Sequence, residues 1–429
     1  MKLLIRLTIL LLIAGGAWLT WEVVRAQRGR AQAVRFMSRE AWPQARVELQ
    51  RYLRLHPSDA KARLMLAESY ARDESSGDVR NVELAIVQLQ RVPDDSPQGA
   101  KARAHEGRMR FLILDQPMQA ERLFRRAIEL APDGFDAHFM LWKLLDMTGR
   151  HQLTEPIFWR VLELCPVPER PLRMREWYLS EFSPGMSTAP LDEKMGVADE
   201  TERSGLVAEF RRLQRFRVAE PDSPVATAAL ARLFLRQGVR AQAQEFLESA
   251  QLLEGAFDNP YYVAAWIALL MDLGEFDRVG ELFDRWPGSR TGFEYWKWEG
   301  IICDEIRHDD ACASTALDRA TEAWPGTLDW QLMYRKAHCL ARSGSHRQAE
   351  EVRAQAHAIE QLMEKSVQAR VRKAMSQLND PQQIAVIVDY YQKLNRPREA
   401  EFWKNHSQEI ERTKQNPFGL GEDDPGVRR

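Results

Sequence analysis

Beyond residue 25, apolar positions recur at helical spacing along most of the chain. In LFRRAIELAP, residues 123–132, Leu123, Ala127, Ile128, Leu130 and Ala131 form one stripe, and Pro132 stops it. No alternating strand of five or more residues is evident. The β-branched run around 385–391 lies between Asp380-Pro381 and Asn395-Arg396-Pro397, in a helical context. The pattern therefore predicts an all-α body. The first residues differ. From Leu3 to Val24 only Arg6 and Glu22 are charged. That length of helix, at about 1.5 Å per residue, spans a bilayer core of about 30 Å. The competing reading is a cleaved signal peptide, with Ala14-Gly15-Gly16-Ala17 offering small residues. The apolar run continuing through Trp18, Leu19 and Trp21 favours an uncleaved anchor.

A fixed period underlies the helical pattern. Ala120, Phe124, Ala127 and Pro132 recur 34 residues later as Thr154, Phe158, Val161 and Pro166. The same frame holds at Ala45, Leu49, Tyr52 and Pro57, and at Ala85, Leu89, Val92 and Pro97. It holds again at Ala313, Leu317, Ala320 and Pro325. Weaker copies start at Glu209, Ala243, Val279, Ala349 and Ala400. Small residues let two helices approach. Large apolar residues fill the gap to the next helix. Pro ends the second helix without losing a needed donor.

This spacing resembles the second helix of the tetratricopeptide repeat (TPR) family, which has the same period. Leu66, Ala67 and Tyr70, like Leu230, Ala231 and Phe234, stand where the family pattern places Leu, Gly and Tyr. The resemblance implies an α-solenoid, a right-handed superhelix of helix–turn–helix repeats following a transmembrane helix. The boundaries expected are an anchor over 1–25, a first array over 26–182, an inserted loop over 183–205 and a second array over 206–356. A long helix and terminal hairpin then fill 357–412, and a polar tail 413–429. The period fails between Pro166 and Pro221. Either one repeat is split there by an insertion, with helices at Pro171–Phe182 and Leu206–Val218, or two arrays meet. After Glu350 one helix is expected to run unbroken to about Leu378.

Charge and composition narrow the function. Sixty Lys+Arg against 62 Asp+Glu argue against a general binder of nucleic-acid backbone. The Arg-rich stretch from Arg25 to Arg63 faces either solvent or anionic headgroups. Four cysteines make no disulfide scaffold. Cys303 and Cys312 fall on different predicted helices and are expected as packed thiols. No phosphate loop, nucleophile elbow, zinc helix or calcium loop occurs, so no enzyme activity, metal or cofactor is expected. His308-Asp309-Asp310 reads as a helix N-cap in preference to a metal site. The aromatics Phe293, Tyr295, Trp296 and Trp298 read as core before ligand stack.

In the TPR family the first helices line the concave face. The resemblance places Lys61, Glu68, Arg72, His105, Phe139 and Lys143 there in the first array. In the second it places Arg232, Arg236, Tyr261, Tyr295 and Arg335. Cations with interspersed aromatics suit an extended peptide carrying acidic and apolar side chains. The Asn positions of chaperone-binding TPRs read Met109, Lys143, Arg232 and Ala268 here, which puts that partner in doubt. The expectation is a membrane-anchored protein-interaction scaffold, single-pass, with its body on the exoplasmic side. The alternative is a cell-envelope assembly or secretion component that binds a polysaccharide or an export substrate.

Overall fold

A computed structural model describes residues 28–72, 79–182 and 200–415. Its described residues contain helices and turns and no strand. The chain divides into two compact units, one of Met1–Leu144 with Val218–Glu220, the other of Leu145–Arg217 with Pro221–Arg429. The first contains α1 (28–37), α2 (Trp42–Leu55), α3 (Ala60–Ala71), α4 (Val79–Gln90), α5 (Gly99–Leu112) and α6 (Pro117–Leu130), and most of α7 (Phe135–Met147). The second contains α8 (Thr154–Leu164), α9 (Arg170–Glu181), most of α10 (Glu200–Ala219), α11 (Pro224–Arg236) and α12 (Arg240–Ala250). It continues with α13 (Pro260–Leu273), α14 (Phe276–Asp284), α15 (Gly292–Glu305), α16 (Asp310–Glu322), α17 (Trp330–Arg342) and α18 (His346–Leu362). The last three are α19 (Lys365–Met375), α20 (Pro381–Lys393) and α21 (Pro397–Gln415).

Helices pair as hairpins, and the recurring frame is their packing code. Ala45, Ala85, Ala120, Ala243 and Ala313 are all fully buried. So are their partners four residues on: Leu49, Leu89, Phe124, Leu247 and Leu317. Among the described residues, hairpin turns pass through one residue of left-handed backbone. Gly149, Gly238, Gly274 and Gly344 hold the position in four hairpins, at φ 72°, 72°, 74° and 83°. Asp115, His308 and Asn395 hold it elsewhere, at φ 54°, 52° and 55°. Asp59, Ser223, Asn259, Asp329 and Asp380 cap first helices by accepting backbone N–H bonds.

Close approach has a measurable consequence at Gly107. A Cβ there would lie 2.6 Å from the ring of Phe124, itself fully buried. Gly107→Ala gains about 1 kcal/mol of helix propensity. Overpacking a locked ring costs about 1–3 kcal/mol and wins. A net loss of about 1 kcal/mol is therefore expected in denaturant unfolding, with no gain in the helical signal.

Two expectations are corrected. No helix of the described residues is long and apolar enough to cross a membrane, which overturns the single-pass membrane placement. The segment 3–24 that suggested it lies outside the described residues, as do most of the 183–205 loop and the tail beyond 415. The helix expected from Glu350 to Leu378 is instead two, α18 and α19, broken at Met363-Glu364. Gln368 explains the break. Its amide donates to Leu362 O at 2.8 Å and to Tyr390 Oη at 2.7 Å, tying the turn to α20.

Candidate functional site

In the first unit, helical phase sets one face. Lys61, Glu68 and Arg72 recur on one stripe of α3, and Glu68 pairs with Arg72 at 3.1 Å. On α5 the stripe is Lys101, His105 and Arg108. The opposite side of α5 is committed to packing. Glu106, 2% exposed, accepts from Arg103 at 3.0 Å, from Arg110 at 3.0 Å and from Gln90 at 3.0 Å. That network fixes the rotation of α5, and with it the position of His105. Burial pushes the His105 imidazole below its usual pKa, and Arg108 and Lys101 add to the shift. Asp136 of α7 and Glu68 of α3 oppose it. Three first helices thus converge on His105. On α7, Phe139 stacks on Phe135 at 5.6 Å, and the Lys143 ammonium lies 4.1 Å from the Trp142 ring and 5.7 Å from that of Phe139. Lys61 and Arg72 are exposed, while Glu68, His105, Phe139 and Lys143 are half-buried.

The second unit differs. Its candidate residues are turned inward onto the chain itself. Arg232 donates to Glu294 at 2.7 Å and lies over the Tyr261 ring at 4.7 Å. Tyr261 is buried, and its hydroxyl donates to Thr148 O and Gly149 O, each at 3.2 Å. Arg236 pairs with Glu209 at 2.9 Å. Tyr295 is buried against Phe283 at 5.2 Å and Trp286 at 5.7 Å, so it belongs to the core. Arg335 pairs with Asp304 and Glu305.

Residues 145–182 hold Tyr261 and make further contacts with later helices. The 151–153 turn rests on α15, and α9 meets α21. Trp324 donates through Nε1 to His151 O at 2.9 Å, and its ring lies 5.2 Å from that of Trp177, which stacks on Phe158. Tyr178 donates to Gln368 Oε1 at 2.9 Å. Arg396 pairs with Glu155 at 3.0 Å and with Glu399, and lies over Trp324 at 4.7 Å. Of the face expected as an open groove, the chain's own 145–182 segment holds Tyr261 on α13 and touches α15. Sequence reasoning missed this contact set. Its signal was the density of Phe158, Trp159, Trp177, Tyr178 and Phe182, more aromatic surface than one hairpin buries alone.

Two buried carboxylates give a pH dependence. Burial would raise Glu294 and Asp304, but Arg232 holds the first and Arg342 and Arg335 hold the second below their usual values. Their stabilisation is complete above the unfolded values of 4.5 and 3.8 and is lost as pH falls through the lower folded ones. The melting temperature is expected to fall as pH drops from about 5 to about 2, and to fall less in Asp304→Asn. An equal fall in that variant would show that Asp304 contributes nothing.

Cys303 and Cys312 are joined by a disulfide, correcting the expectation of free packed thiols. Though on separate helices, the two flank the short turn from α15 to α16, which brings their Cα atoms to 5.8 Å. Asp309 caps α16 by accepting from Cys312 N at 2.9 Å.

No protein-family model matches the chain, and no curated protein matches it. Solved structures similar to it include the P58(IPK) TPR domain, at 13% identity, covering 91% of this chain and 99% of that one with a TM-score of 0.26. Pseudomonas aeruginosa pilF is similar at 16% identity, covering 54% of this chain and 95% of that one, with a TM-score of 0.26. The APC/C hetero-tetramer Cut9-Hcn1 is similar at 12% identity, covering 92% of this chain and 74% of that one, with a TM-score of 0.34. At scores this low the likenesses carry nothing about partner or activity, and the hairpin repeat rests on the packing described above.

Proposed function

We propose that the chain is a protein-interaction scaffold whose docking surface is the α3–α5–α7 face of the first unit. Its partner is a peptide segment rich in carboxylates with apolar side chains between them. One observation carries the reading. Lys101 and Arg108 face Glu68 and Asp136 around His105, and Lys61, Arg72 and Lys143 on the same helical stripes add to the positive side of the count. Carboxylates meet the cations there, and apolar side chains meet the half-buried Phe135–Phe139 pair. On this face Arg72 pairs with Glu68 and Lys143 lies over the Trp142 ring; in the second unit Arg232, Arg236 and Arg335 each hold carboxylates of the chain. A catalytic role is not part of this reading.

The test is fluorescence anisotropy of the full-length chain with a labelled peptide of alternating Glu and Leu, against its Lys and Leu counterpart. Saturable binding of the acidic peptide alone, weakening as salt rises, is the expected result. Equal binding of both peptides, or none, would remove the proposal.

A further inference from the structure

The bond between Cys303 and Cys312 is asymmetric in its surroundings. Cys303 is fully buried on α15, whereas Cys312 is half-buried in the first turn of α16. Cys312 therefore sits at the positive end of a helix of 13 residues, where an incoming thiolate is attracted. The Glu299 carboxylate lies 3.8 Å from the Cys312 sulfur and 3.9 Å from the Cys303 sulfur. The Arg307 guanidinium lies 3.7 Å from the Cys303 sulfur and 3.3 Å from Glu299. One sulfur is thus reachable, the other is shielded beside a cation, and a carboxylate touches both. A bond that only staples two helices needs none of these neighbours.

We propose that Cys303–Cys312 is a thiol–disulfide exchange site, attacked at Cys312 and releasing Cys303, for a small thiol or a cysteine pair on a partner. The incoming thiolate forms a bond to Cys312 Sγ, and the Cys303–Cys312 bond breaks with its electron pair going to Cys303 Sγ. Arg307 faces that leaving thiolate, which then takes a proton from solvent. A second thiolate of the reductant attacks the reductant's own sulfur in the mixed disulfide and frees Cys312. The reductant leaves as a disulfide and the chain as a dithiol, two electrons having passed between them. A disulfide of the same class, running the steps backwards, restores the bond. The remaining thiols do not compete. Cys339 is buried and pushed up to about 12, chiefly by burial with Asp304 adding to it, and burial raises Cys165 as well. This inference is independent of the peptide-binding face.

The test treats the native full-length chain with reduced glutathione, blocks thiols at intervals, and reads each cysteine by mass spectrometry. Reduction is expected at a rate proportional to glutathione concentration and unchanged by denaturant below the unfolding transition. Arg307→Gln is expected to slow it about 5-fold with the circular dichroism unchanged. For the serine variants oxidised glutathione replaces the reduced form, and in Cys303→Ser the Cys312 thiolate is expected to attack it, keeping one glutathione as a mixed disulfide and releasing the other as thiolate. In Cys312→Ser, Cys303 is expected to stay unmodified. Reduction that begins only with unfolding would overturn the proposal and leave a structural staple. Equal capture at both cysteines would overturn it too. The wild-type kinetics decide the matter even if neither serine variant folds.

Discussion

Arg396→Met is expected to destabilise the second unit by about 3–5 kcal/mol, the cost of leaving a buried carboxylate without its cation. Arg396 is 7% exposed and Glu399 is 2% exposed. The guanidinium holds Glu399 on α21, reaches Glu155 on α8 at 3.0 Å and covers the Trp324 ring at 4.7 Å. Methionine keeps the volume and removes the charge. Glu399 is then stranded in the interior, and α8 loses its link to α21. In the double variant with Glu399→Met both buried charges are gone, so most of the loss is expected to be regained. Guanidinium unfolding followed by tryptophan fluorescence measures both. A loss below about 1 kcal/mol in the single variant would mean that the contact between residues 145–182 and the later helices is peripheral.

Charge reversal on the first unit has the largest expected effect on binding. Lys61→Glu, Arg72→Glu and Lys143→Glu together should weaken the acidic peptide at least about 30-fold, roughly 2 kcal/mol, from three rim contacts each of about 0.2–1 kcal/mol turned to repulsion. Most of that loss is expected in the association rate, and it should shrink as salt rises. Arg236→Glu with Arg335→Glu is the control. These residues pair with Glu209 and with Asp304 and Glu305, so reversing them is expected to lower stability and leave peptide affinity within about 2-fold. Surface plasmon resonance separates the two rates. Equal weakening in both variants would place the peptide elsewhere or make the attraction merely global.

What the sequence could show follows from the range of the interactions. The hairpin repeat was legible because its code is local. Ala120, Phe124 and Ala127 lie within one helix, and Gly149 or Gly274 marks a turn by itself. Lys61 and Glu68 lie on α3, which Arg72 ends, so their common stripe is a local feature of the sequence. The filling of the second unit was not legible. It depends on Tyr261 reaching Gly149, Trp324 reaching His151 and Tyr178 reaching Gln368, pairs separated by 112, 173 and 190 residues. Helical periodicity places each residue on a face but says nothing of what covers that face. Tyr295 went the other way. Its neighbours Phe283 and Trp286 lie on the preceding hairpin, and their packing turns it from the surface into the core. The disulfide was missed because Cys303 and Cys312 were assigned to helices one at a time, without the turn that joins them.

The central claim is that docking belongs to the α3–α5–α7 face, the candidate cations of the second unit being held by carboxylates of the chain itself. A photo-crosslinking acidic peptide tests it most directly, carrying a diazirine in place of one leucine and mapped on the full-length chain by mass spectrometry. The account predicts saturable crosslinks to α3, α5 and α7, lost in the charge-reversed variant. Crosslinks on α11, α13, α15 or α17 would contradict it.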